Sequence, residues 1–188
     1  MSKQAATLFA GVAVVVTLHA SNAHASPFSP AAHITFLFLH VLGAIAFMGN
    51  LVVSAMWMSQ AKKTRDARVL HFAAKSVVRA DWLFTLPGIL LILVPGLLML
   101  GPFGGFPGPA WVELALTLFV ISGIIWAAVL IPLQKRMVVI TDEAVRTKAE
   151  LDATFDSAIR RWMMWGGIAT LLPFVSLIVM VFKPSLWR

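Results

Sequence analysis

Cysteine and tyrosine are absent from the 188 residues, and charged residues make up only 12% of them. Without cysteine there is no disulfide, no thiolate zinc site, no iron–sulfur cluster and no covalent c-type haem attachment. The low charge sets the chain apart from soluble domains, in which about a quarter of residues are charged. The signatures HExxH, GxSxG, GxxxxGK[ST] and GxGxxG are also missing. The common hydrolase, nucleotide and dinucleotide chemistries therefore find no support. What is present is apolar: 60% hydrophobic residues, seven Trp and thirteen Phe, with mean hydropathy +0.88. Tryptophan favours the lipid–water boundary, which suits a membrane protein. The net charge of +7 does not point to nucleic acid, because the basic residues cluster beside apolar spans.

Four stretches are long enough to cross a bilayer, for which about 20 residues suffice. They are 31–58, 82–100, 111–133 and 162–182. Between the first two lie Lys62, Lys63, Arg65, Arg68, Lys75 and Arg79. Between the last two lie Lys135, Arg136, Arg146, Lys148, Arg160 and Arg161. The positive-inside rule puts both segments in the cytoplasm, as in a multi-pass protein of a bacterial inner membrane. Within them, Val69, Leu70, Ala73 and Val77, and then Ile140, Ala144, Leu151 and Phe155, recur at helical spacing, so short surface helices are expected. Residues 1–25 read as a secretory signal: Lys3, an apolar core, and Ala23-His24-Ala25 before Ser26. If retained, this leader becomes a further helix and brings His19 to the outer side.

The first span carries most of the polar residues at membrane depth. His40, Gly43, Phe47, Asn50 and Ser54 share one helical face, which turns inward because a polar group facing lipid has no partner. Two readings stand for His40. It is a neutral imidazole bonded to a serine or carbonyl on the next helix, or an axial ligand to b-type haem, with Gly43 leaving room for the macrocycle. His33 lies one helical repeat away, about 10 Å along the axis, too far to share an iron, and reads as interfacial. Met99 and Met180, near the outer ends of their helices, are sixth-ligand candidates or plain gap-fillers. Glu113 favours its helix N-terminus or accepts a proton near the level of His40. Asp81 reads as the cap of the second span, with Arg160 or Arg161 as a further partner. Asn50 and Ser54 read as hydrogen-bonding glue between helices, Lys183 snorkels to the outer surface, and His71 sits at the charged end.

The motifs FLHVLGA at 38–44, RADWLFTLP at 79–87 and MVFKP at 180–184 resemble the predicted integral membrane proteins of domain of unknown function 2269. The resemblance covers residues 34–184 and implies a membrane helix bundle; no activity comes with it. The LH of the first span and the KP after the last are similar, less specifically, to the non-flavin membrane protoporphyrinogen oxidases and the copper-resistance D proteins. In the former a first-helix histidine is associated with haem, which implies such a role for His40. The third helix departs from that group, with Glu113 in place of a His/Lys-rich start.

The expectation is therefore an all-α membrane protein: a four-helix transmembrane bundle preceded by a signal segment or extra helix. The expected function is electron transfer near the outer face through haem b on His40. A cofactor-free accessory or scaffolding subunit of a larger membrane complex is the alternative. The expected partners are the lipid bilayer and other membrane or redox subunits, with no nucleic acid.

Overall fold

Side-chain caps mark where the chain turns. The Ser29 hydroxyl accepts from the Ala32 N–H at 3.3 Å and Pro30 follows it, which starts helix α1, Pro30–Thr64. Arg65, at φ 55°, ends that helix. Asp66 at once caps the next, accepting from the Arg68 and Val69 N–H groups. Helix α2 is Ala67–Leu98, α3 is Ala110–Thr147 and α4 is Ala153–Phe182. Asp152 caps α4. Its carboxyl is held below the ordinary carboxylate range, chiefly by the Phe155 N–H it accepts and also by Thr154. That cap is complete above the ordinary carboxylate pKa and is lost as pH falls through the lowered value. This computed structural model describes residues 28–103, 105, 106 and 108–186. The leader expected at 1–25, with His19, lies outside the described residues.

All described regular structure is helical, and four helices are long and apolar enough to cross a membrane. They exceed the expected spans because the charged segments are not separate surface helices. Helix α2 runs unbroken from Ala67 through Asp81 into the apolar part, and α3 continues through Pro132 to Thr147. The device is the same in both. Asp81–Thr85 and Trp126–Leu130 are single π-turns, each just before a proline, Pro87 and Pro132. The Leu86 N–H bonds the Asp81 carbonyl and the Ile131 N–H the Trp126 carbonyl, five residues back. One inserted residue widens the turn, which accommodates a ring that would clash in a regular α-helix.

The helices form two pairs. Helix α1 lies along the Leu86–Leu98 part of α2, and the Ala110–Ile125 part of α3 lies along α4. The pairs join mainly at the charged end, where Ala67–Ala80 packs on Ile131–Thr147. There Met58, Leu70, Val77, Met137, Phe155 and Ile159 are all but inaccessible. At that end Asp156 pairs with Arg65 at 2.6 Å, and Asp142 lies 3.6 Å from His71. In the apolar part, Ile34, Phe38, Ile45 and Leu83 stand outward as a lipid-facing surface does. Pro173 denies α4 the N–H that would bind the Ala169 carbonyl, and the Ser122 hydroxyl of α3 donates to that carbonyl at 2.6 Å instead. Ser176 returns the arrangement, donating to the Ala115 carbonyl at 2.9 Å.

Candidate functional site

The two π-turns face one carboxylate. Asp81, 7% exposed, accepts from the Asn50 amide at 3.1 Å and the Thr85 hydroxyl at 2.9 Å through Oδ1. Its Oδ2 accepts from the Trp126 indole N–H at 3.0 Å and the Gln134 amide at 2.8 Å. Asn50 also donates to Thr85 at 2.8 Å and accepts from Ser54 at 3.2 Å. Asp81 is thus not a helix cap: α2 passes straight through it, and its partners are neutral donors from α1, α2 and α3. Arginine takes no part, so the expected pairing with Arg160 or Arg161 gives way to this cluster. Asn50 and Ser54 do bond between and along helices as their shared face implied. Thr85, Trp126 and Gln134 were not among the candidates.

Beside this cluster lies a cavity of about 420 Å³ between the helix pairs. Asp81, Thr85 and Gln134 line it together with Leu93, Phe119 and Phe174. On α4 the wall includes Gly167 and Leu171, which are exposed, so the cavity is partly open to the side. A Cβ at Gly166 or Gly167 would meet nothing within 4 Å. Trp162 lines the same cavity. It is 6% exposed, and its Nε1 is a buried donor with no hydrogen-bond partner among the described residues. Leaving a buried N–H unmatched costs about 1–3 kcal/mol.

His40 is placed differently. It is half-buried, and its Nδ1 lies 2.7 Å from the Ile92 carbonyl oxygen. A carbonyl only accepts, so Nδ1 carries a proton, and in the neutral ring Nε2 keeps its lone pair. This is the carbonyl partner on the next helix that the first reading of His40 expected. Gly43 does not leave room for a macrocycle. A Cβ there would stand 2.6 Å from the Leu91 Cβ and 2.9 Å from the Ile92 nitrogen, so the space is filled by α2 itself. Met99 caps the end of α2, and Met180 is in the last turn of α4. None of His40, Met99 and Met180 lines the cavity. Glu113 is in the first turn of α3, where a carboxylate favours the helix dipole. His71 bridges helices at the charged end, its Nδ1 3.1 Å from the Thr141 hydroxyl. Lys183 lies with Nζ 5.4 Å from the centroid of the Trp111 ring.

A family model described as "Predicted integral membrane protein (DUF2269)" matches residues 34–184. No curated protein and no solved structure matches the chain.

Proposed function

The chain belongs to the integral membrane protein family DUF2269, and we propose that it binds a lipid-like molecule within the bilayer, between its two helix pairs. The observation that carries this reading is the 420 Å³ cavity, a volume within the roughly 300–1,000 Å³ of small-molecule sites. Its wall is mostly apolar, with Asp81, Thr85 and Gln134 among its few polar residues. Gly166 and Gly167 line it, and a Cβ at either would meet nothing within 4 Å. The side opening faces the region that lipid occupies, so a hydrophobic molecule enters without crossing water. The charged end is taken as cytoplasmic on the positive-inside rule, in a bacterial inner membrane.

Filling the cavity tests this. Purified protein titrated with decylubiquinone or decylbenzene is expected to give a one-to-one adduct in native mass spectrometry and a raised unfolding midpoint. Gly166→Leu should weaken both effects at least tenfold without lowering the midpoint of the free protein, since a Cβ there meets nothing within 4 Å. Saturable uptake untouched by Gly166→Leu would place the ligand elsewhere and overturn the reading.

Haem b on His40 is the second reading, and the favouring observation is the imidazole tautomer. A ring whose Nδ1–H is engaged by a carbonyl presents Nε2 to a metal, the usual arrangement of ligating histidines. The donor fits; the space beside Gly43 does not, so the macrocycle would have to lie away from α2. A Soret band in protein from haem-replete cells, lost in His40→Ala and kept in His71→Ala, is the expected result. A colourless folded preparation ends the haem reading, and failure of the lipid probes as well leaves the accessory-subunit role.

A further inference from the structure

We infer that the outward face of α2 at the charged end docks a water-soluble protein, one that offers an apolar pocket for Phe72 with carboxylates around its rim. The inference is independent of the cavity. Three observations carry it.

The first is the make-up of that face. In the Ala67–Ala80 part of α2, Leu70, Ala73, Ala74, Val77 and Ala80 are buried. The exposed residues there are Arg68, Val69, Phe72, Lys75 and Arg79. Phe72 is 73% exposed, while Met58, Leu70, Met137 and Phe155 of the same end are all but inaccessible. Arg68 lies four residues before Phe72, and Lys75 and Arg79 three and seven after it. These spacings put all four side chains on one helical stripe. An aromatic ring set among cations on a rigid helix is the kind of anchor that protein interfaces use.

The second is charge. The Ala67–Ala80 segment contains no acidic residue. Asp66, just before it, is engaged in capping the Arg68 and Val69 N–H groups. A face of three cations and two apolar side chains is complementary to a surface that is acidic and apolar. It is not complementary to itself: two-fold pairing would lay the patch on its own copy, cation against cation.

The third is height. Exposed Trp82, Leu83 and Phe84 begin the lipid-facing part of α2. Phe72 precedes Trp82 by ten residues, about 15 Å along the axis. Headgroups extend only about 5–8 Å beyond the hydrocarbon on each side. A helix tilt of about 20° takes only about 1 Å off that height. Lipid therefore reaches Arg79 and not Phe72, which leaves a soluble protein to cover the ring.

The experiment uses the full chain in phosphatidylcholine nanodiscs and, as probe, a helical peptide of glutamate with one leucine stripe. Two control peptides replace every glutamate by glutamine, or every leucine by serine. The expected result is saturable binding of the first peptide, read by fluorescence anisotropy, and about tenfold weaker binding of either control. Phe72→Ser should cost about tenfold in affinity, and so should Arg68→Glu combined with Lys75→Glu. All three positions are exposed, so both variants should fold as the wild type does. Phospholipid is the competing occupant. The chain has no cysteine, so Phe72→Cys carries a single spin label. In nanodiscs containing phosphatidylglycerol, that label should collide more with a water-soluble nickel chelate than with oxygen. A label sheltered in lipid overturns the inference. So does the absence of saturable peptide binding, or binding that Phe72→Ser leaves unchanged.

Discussion

Asp81→Leu is expected to destabilise the protein by about 3 kcal/mol, because one substitution strands several buried donors. Trp126 and Gln134 lose the acceptor that Oδ2 provides, and Asn50 keeps only Thr85. Each unmatched buried donor costs about 1–3 kcal/mol. Hydrogen bonds between helices in lipid usually measure nearer the low end, since helices unfolded in the membrane also find partners. The total is large because the donors share one acceptor group. Asp81→Asn should be little better: the amide offers one acceptor oxygen and turns its own N–H groups toward donors. Gln134→Leu, which leaves the carboxylate three of its four donors, should cost about 1 kcal/mol. Denaturation in a fixed detergent, followed by circular dichroism, measures all three. If Asp81→Leu matched the wild type, the cluster would be incidental to the fold.

The spans were legible in the sequence because hydropathy is summed over many residues and no single position decides it. The inward face of α1 was equally clear: Gly43, Phe47, Asn50 and Ser54 are all buried, as their spacing of three and four requires. The reach of the helices was not legible. Charge made 59–80 and 134–161 read as separate surface segments with short helices of their own. Their apolar faces, Leu70, Ala73 and Val77 against Met137 and Ala144, instead carry the helices on as one packed end. The passage through Asp81 and Trp126 depends on π-turns, whose sequence signal is only a proline shortly after, and a proline reads as easily as a break or a kink. For the same reason Asp81 looked like a cap, lying where a charged segment meets an apolar one. Its partners sit 31, 45 and 53 positions away along the chain, and no local spacing announces them. The unmatched donor of Trp162 is a property of packing alone. The haem reading drew on the small size of Gly43, which serves close helix contact instead.

That contact makes Gly43→Ala the most disruptive small change expected in the apolar half. The added Cβ would stand 2.6 Å from the Leu91 Cβ and 2.9 Å from the Ile92 nitrogen and the Leu91 carbonyl carbon. Two of those three are backbone atoms, so no rotamer change relieves the clash and the helices must separate. Separation is resisted on both sides of the contact. Gly88 of α2 packs against the Phe47 Cβ and the Gly43 carbonyl, and His40 holds the Ile92 carbonyl one turn along. Overpacking of this kind costs about 1–3 kcal/mol, and the loss of the His40 hydrogen bond adds to it. Leu91→Ala should not rescue the variant, because the nearest Leu91 atom is its Cβ, which alanine retains. Gly49→Ala is the control on the same helix: a Cβ there meets nothing within 4 Å, so it should be neutral or slightly stabilising through helix propensity. Side-by-side denaturation of the two variants should therefore separate them by more than 1 kcal/mol. Equal midpoints would mean that α1 and α2 do not touch backbone to backbone at Gly43, and the room beside His40 would reopen for a macrocycle.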